Sequence, residues 1–245
     1  MITSKQNAII KRIKKLQQRK NRKKTQKFIV EGFHLIEEAI KSHFTVEEII
    51  KTEHVELPDY IDIDQVMTVS DTIFSHLSMT ETPQGILAVV QMKASYDYSG
   101  DKLLLLDGVQ DPGNVGTLIR TADAAGFSAV ILGDGSADVY NDKTIRATQG
   151  SLFHIPVISK DLQQEIPQLQ AKDYMICVTT LEEATDYKAI RIDKPFALVM
   201  GNEGSGVQAD IQNSSDVRVK IPIYGQAESL NVAVAAGILM YEFSN

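Results

Sequence analysis

Short apolar runs and helix-spaced apolar positions alternate along this chain. Ile9, Ile13 and Leu16 stand at i, i+4 and i+7 among lysines and predict an amphipathic helix near the N-terminus. FIV at 28–30 reads as a strand, followed by a helix over 33–41 with apolar residues at 33, 36, 39 and 40. Further apolar runs lie at 46–50, 66–69 and 86–90, with a polar, helix-like piece at 70–78. Strands alternating with helices make residues 1–92 a small α/β domain. KASYDYSGDK at 93–102 follows neither period and reads as a linker. Beyond it, LLLL (103–106), AVIL (129–132), YMICVT (174–179), FALVM (196–200) and VRVKI (217–221) are short and largely unalternating. Such runs fit strands covered on both faces, hence a mostly parallel sheet with flanking helices near 114–125, 142–150, 161–171 and 229–243. Residues 103–245 are therefore a second, larger α/β domain.

The last of these helices has hardly a charge before Glu242. With no polar face opposite its apolar stripe, it is expected to be buried all round. Its small residues, Ala233, Ala235, Ala236 and Gly237, imply close approach to another backbone, in its own domain or in a second subunit. Glu228, Ser229 and Asn231 crowd at its start, where free N–H groups can hold a ligand.

Composition narrows the classes. A chain that is 43% hydrophobic and 23% charged is that of a soluble globular protein. The lone Cys177 excludes an intrachain disulfide and sits in an apolar run as a buried thiol. Neither the cysteine nor His34, His43, His54, His76 and His154 show metal-ligand spacing, so no metal is expected. With no signal peptide and no run near the ~20 apolar residues of a membrane span, a cytoplasmic protein without membrane attachment is expected. The net charge of −7 conceals a segregation. Residues 1–30 hold eleven Lys/Arg and no Asp or Glu, while the remaining 215 hold 14 basic and 32 acidic side chains. A basic arm on an acidic body suits a polyanion, with Lys11, Arg12, Lys15, Arg19, Arg22 and Lys23 as RNA-contact candidates. The same charges are compatible with a plain solvated face or with anionic lipid.

Three segments carry the chemistry. LLDGVQDPGNVGTLIRTADAAG (105–126) contains Asn114-x-Gly116-x-x-x-Arg120, LVMGNEGSG (198–206) contains Asn202-Glu203-Gly204, and IPIYGQAESLNVAVAAGILMYE spans 221–242. The dinucleotide fingerprint G-x-G-x-x-G is absent, and two Gly-containing loops follow apolar runs at 201–206 and 222–228. Glycine there admits close approach of a ligand to the backbone, or merely a tight turn.

In order and spacing the three segments resemble motifs one, two and three of the SpoU/TrmH family of RNA ribose 2′-O-methyltransferases, in the SPOUT superfamily. A weaker similarity over 1–92, through SKQNAIIKRIKKL, FIVEGFHLIEEA and ETPQGILAVV, resembles the substrate-binding domain of rRNA-directed members. The resemblance implies a trefoil-knotted sheet in the C-terminal domain, S-adenosylmethionine as methyl donor, and a homodimer paired at the last helix. It places donor contacts at Gly201, Ile221 and Leu230, with Met200, Asn202 and Ser229 beside them. Asn114, Arg120, Glu203, Ser229 and Asn231 become the catalytic set, and Arg146 an RNA contact. Arg120 is then the arginine that holds the target phosphate and assists the 2′-hydroxyl, although a lone arginine on such a helix also suits a carboxylate partner. Ala233 departs from the third motif, where many members carry a hydroxyl residue. The resulting expectation is methylation of a ribose 2′-hydroxyl in 23S rRNA. Transfer to tRNA and a catalytically silent RNA-binding protein are the alternatives.

Overall fold

The computed structural model describes residues 1–94 and 98–244, and the chain packs as two units. The first comprises Met1–Ser95 together with Tyr140–Phe153; the second comprises Tyr96–Val139 and His154–Asn245. Of the linker expected at 93–102, residues 95–97 lie outside the described residues.

The first unit begins with α1 (Ala8–Lys15), α2 (Arg19–Thr25), β1 (Lys27–Glu31) and α3 (Phe33–Lys41). It continues with β2 (Val46–Thr52), β3 (Val66–Val69), α4 (Asp71–Leu77) and β4 (Ile86–Gln91). The sheet order is β1-β4-β2-β3, with β4 antiparallel to both neighbours and β2 parallel to β3. Asn7 starts α1 by accepting the Ile9 N–H at 2.9 Å, the usual service of an N-cap amide oxygen. Ile10, Ile13 and Leu16 then seal against Ile73, Phe74, Leu77 and Leu87. The basic arm is thus two helices whose apolar side is core. Their junction is closed by Arg22, which is 6% exposed and donates from Nη1 to the carbonyls of Leu16 (3.0 Å) and Gln17 (2.7 Å).

The chain goes on through β5 (Lys102–Asp107), α5 (Pro112–Ala124) and β6 (Ala129–Leu132). Residues 140–153, with α6 (Asp142–Thr148), pack in the first unit. There the ring of Tyr140 lies 4.6 Å from that of Phe28, and Phe153 meets Phe44 edge-on at 5.0 Å. The sequence division at 93–102 does not foresee this, because periodicity shows that α6 has an apolar face without showing which core receives it. The second unit resumes with β7 (Val157–Ser159), α7 (Leu162–Ala171), β8 (Met175–Thr179) and β9 (Thr185–Asp186). It ends with β10 (Phe196–Gly201), α8 (Ala209–Asn213), β11 (Val217–Lys220) and α9 (Val232–Glu242). Its seven strands run in the order β7-β6-β5-β10-β8-β11-β9, every pairing parallel.

Unalternating runs lie where the sheet is covered on both sides: Leu103 to Leu106 are all fully buried, as are Ala197, Leu198 and Val199. Cys177 of β8 is buried with them, and burial pushes its thiol pKa up to about 12. The three-residue β7 and two-residue β9 are too short to carry a readable pattern.

Helix α9 corrects the expectation of burial all round. Val232, Ala233, Ala236, Leu239 and Met240 are buried, whereas Val234, Ile238 and Tyr241 are 53%, 37% and 53% exposed. The helix therefore has an outer face, and that face is apolar. Gly237 also lies close to α5, since a Cβ there would meet Thr121 Cγ2 at 3.6 Å.

Candidate active site

The site begins where strands of the parallel sheet end. At the end of β10, Gly201 can be nothing but glycine: an added Cβ would stand 2.2 Å from the Gly206 carbonyl carbon and 2.3 Å from the Val207 nitrogen. The loop folds back on itself, Asn202 and Gly206 exchanging backbone N–H···O bonds of 3.0 Å each way. Gly206 makes the return with φ +70°, the left-handed region that glycine enters without cost. The Asn202 side chain fixes both ends of the turn. Its Nδ2 donates to Gly108 O at 2.8 Å, and its Oδ1 accepts from Gly204 N (2.9 Å) and Ser205 N (3.1 Å). Below it, Asp107 at the end of β5 is 3% exposed and accepts the Gln208 N–H at 2.7 Å.

Helix α5 starts with Asp111 as N-cap, accepting the Asn114 N–H at 2.8 Å, and with Pro112 at the first turn. Glu203 reaches across to this start. Its carboxylate accepts from Gln110 N (3.1 Å), Asp111 N (3.2 Å) and Asn114 Nδ2 (3.0 Å). Burial pushes the Glu203 pKa up, but the Asn114 amide and the backbone N–H groups outweigh it and hold the carboxyl below the usual range. Asn114 Oδ1 in turn accepts from Asn231 Nδ2 at 3.1 Å. Asn231 Oδ1 caps α9, taking the N–H groups of Ala233 (2.9 Å) and Val234 (3.3 Å). One hydrogen-bonded line, Glu203–Asn114–Asn231, thus ties together three segments distant in sequence. Because Glu203 can only accept, Asn114 must present its NH2 to it and its carbonyl to Asn231, so both amides are oriented.

Beside this line opens a cleft of about 790 Å³. Its walls include Thr179, Leu181, Met200, Gly201, Asn202, Glu203, Ile221, Ser229, Leu230 and Asn231. Among the described residues, no group of three or more His, Cys, Asp or Glu side chains is placed to hold a metal ion.

Comparison with known proteins decides the lineage. The model of the SpoU rRNA Methylase family matches residues 101–241, and that of the MRM3-like substrate binding domain matches 7–88. This chain belongs to the SpoU rRNA methylase family. The 23S rRNA (guanosine(2553)-2′-O)-methyltransferase RlmP of Bacillus subtilis is 47% identical to it over 98% of this chain and 97% of its own. The AdoMet-bound rRNA methyltransferase of Sinorhizobium meliloti superposes with a TM-score of 0.89 at 33% identity, covering 98% of this chain and 95% of its own. The SpoU methyltransferase AviRb of Streptomyces viridochromogenes, in complex with AdoMet, gives 0.87 at 27%, with 97% of each chain covered.

The predicted residues fall into separate groups. Met200, Gly201, Asn202, Glu203, Ile221, Ser229, Leu230 and Asn231 line the cleft, and Asn114 joins it through Glu203 and Asn231. Arg120 lies on the exposed side of α5, outside the lining, and makes no hydrogen bond or ion pair with the described residues. Arg146 belongs to the first unit, where it pairs with Asp142 at 2.9 Å and borders another cleft of about 620 Å³ with His34, Gln84 and Gln149. On the basic arm Lys11, Lys15, Arg19 and Lys23 are exposed, Arg12 pairs with Glu48, and Arg22 is buried.

Sequence reasoning missed Asp111, whose place as N-cap before Pro112 was signalled by the dipeptide Asp-Pro at a helix start. It also missed Asp107, for which the sequence holds no signal because its partner Gln208 is 101 residues away.

Proposed function

We propose that this SpoU-family protein transfers a methyl group from S-adenosylmethionine to the ribose 2′-hydroxyl of a guanosine in 23S rRNA, the nucleotide class named for the B. subtilis relative. The carrying observation is the Glu203–Asn114–Asn231 line at the edge of the cleft, which assembles the family's three motif segments around one opening. The cleft has the size and mixed lining of a small-molecule site. Its backbone at Gly201 and Ile221, with Leu181 and Leu230 as apolar walls, fits an adenosine moiety held without a phosphate loop. When bound, S-adenosylmethionine supplies an electrophilic methyl group on sulfur.

The chain's own residues do the rest by position. Asn114 and Asn231 present fixed amides, and Arg120 offers a guanidinium to an RNA phosphate and to the developing 2′-oxyanion. Arg120 is not the proton acceptor, because a guanidinium carries N–H donors and no acceptor. RNA is led in by the outward cations Lys11, Lys15, Arg19 and Lys23, while Arg22 serves the fold. The apolar outer face of α9, Val234, Ile238 and Tyr241, supports a homodimer formed at that helix. The family's trefoil crossing of the C-terminal segment and a cytoplasmic place of action, beside ribosomal RNA, complete the reading. Among the described residues no helix is long and apolar enough to cross a membrane.

Mapping 2′-O-methyl groups in RNA from cells lacking the protein tests the function. Loss of one 23S rRNA guanosine mark is expected; loss confined to tRNA establishes the tRNA alternative, and no loss from any RNA sinks the enzyme reading. Sedimentation tests the assembly. The unmodified protein is expected as a dimer at micromolar concentration and Ile238→Asp as a folded monomer, whereas a monomeric unmodified protein refutes the pairing.

A further inference from the structure

The large apolar side chains exposed in the second unit form two groups. Val234, Ile238 and Tyr241 belong to α9, while Leu181, Tyr224 and Leu230 belong to the surroundings of the cleft. Leu181 and Leu230 line the cleft itself. Tyr224 does not line it, yet at 91% exposed it is the most exposed of all of them. It sits in the irregular segment between β11 and α9, three residues after Ile221 of the cleft wall and seven before Asn231 of the hydrogen-bonded line. Its neighbour Ile223 faces the cleft. Tyr224 makes no ring contact or hydrogen bond with the described residues.

An aromatic ring left in water forgoes the burial that makes such residues useful, since a Tyr covers roughly 150–250 Å² when packed. Its place beside a donor cleft sets what can cover it. A duplex shows its 2′-hydroxyls in the minor groove but keeps its base faces stacked inside, so only an unpaired segment has a base face free to cover the ring. Unpaired bases of RNA stack on aromatic side chains irrespective of their hydrogen-bonding edges. We propose that Tyr224 is a stacking platform for an unpaired base of the RNA substrate beside the nucleotide being methylated. This rests on the function proposed above and deepens it: the recognition is of an exposed π-face, so the RNA taken is single-stranded at the site rather than a continuous duplex.

The chain contains no tryptophan, so Tyr224→Trp creates a protein with a single indole reporter. A 23S rRNA fragment carrying the target guanosine in an unpaired loop is expected to quench its emission, and S-adenosylmethionine alone to leave it unchanged. Tyr224→Ala should weaken binding of that fragment about 5- to 150-fold, the range for losing one base–aromatic stack, while Tyr224→Phe keeps the affinity. Donor affinity and sedimentation should be the same in all three variants. The proposal is overturned if the indole emission ignores RNA, if the alanine variant binds RNA as the unmodified protein does, or if phenylalanine loses as much as alanine. It is equally overturned if the alanine variant changes sedimentation, which would assign the ring to a protein contact. If the unmodified protein fails to methylate the fragment while unpaired RNA still quenches the indole, stacking stands and the proposed reaction falls.

Discussion

Arg22 and Arg120 exchange the environments that their sequences promise. Arg22 lies in the most basic stretch of the chain, yet it is buried and gives its Nη1 hydrogens to the carbonyls of Leu16 and Gln17, just past α1. Arg120 lies in a helix of valine, leucine, isoleucine and alanine, yet it faces outward with no polar partner among the described residues. The contrast teaches that local charge density does not decide what a cation does. What decides is whether the fold leaves unsatisfied acceptors within its reach. The carbonyls where a helix gives way to the next segment are such acceptors, and those of Leu16 and Gln17 lie within reach of Arg22. Arg120 makes no such bond with the described residues and stands exposed, open to an RNA phosphate under the function proposed above.

The sharpest way to break this comparison is to remove each arginine in turn. Arg120→Ala should lower the methyl-transfer rate ~10²–10³-fold, the usual loss for one donor to a developing oxyanion, with melting temperature and donor affinity preserved. Arg120→Lys should recover little, because an ammonium keeps the charge without the planar fork. An alanine variant that melts early would make Arg120 a structural residue like Arg22. Arg22→Ala should instead cost about 1.5–3 kcal/mol of stability, the range for hydrogen bonds from a charged group, seen as a lower denaturation midpoint. Its transfer rate well below the melting point should stay near that of the unmodified protein.

The outward cations of the arm sharpen the comparison further. Replacing Lys11, Lys15 and Lys23 together by Gln should weaken RNA binding and flatten its dependence on salt. The logarithmic slope should fall by about 0.7–0.9 for each phosphate left without its cation. Melting should hardly move, in contrast to Arg22→Ala. Deleting the arm is a poorer test, since Ile10, Ile13 and Leu16 would leave the core with it.

The smallest expected effect is one of pH. Glu203 is held below the ordinary carboxylate range in the folded protein, so the stabilisation it gives is complete above the unfolded value of about 4.3 and is lost as pH falls through the lower folded value. Donor affinity of the unmodified protein should therefore decline in acid below that point, and Glu203→Gln should lack this limb of the profile. An identical acid limb in both proteins would assign it to another group.

Much of this was legible in the sequence. The parallel sheet could be read because runs such as LLLL and FALVM are buried on both faces, and Cys177 was correctly expected inside one of them. The family motifs led to the residues that line the cleft and to Asn114. What escaped notice depends on partners far along the chain. The burial of Arg22 depends on where α1 stops, and the outer face of α9 depends on which side meets α5. A helix with hardly a polar residue before its last turn carries no mark of the side left uncovered. The place of Tyr140–Phe153 escaped for the same reason.

That last segment bears on modularity. Because Tyr140–Phe153 packs in the first unit, the chain passes from one unit to the other three times: near residue 95, between Val139 and Tyr140, and between Phe153 and His154. The first unit is therefore no cassette that recombination could append at a single joint. A chimaera that exchanges residues 1–94 alone would set a foreign surface against Tyr140 and Phe153, where Phe28 and Phe44 now pack. A working exchange of the first ninety residues therefore has to carry the fourteen residues Tyr140–Phe153 with it, although they lie in the middle of the sequence of the second unit.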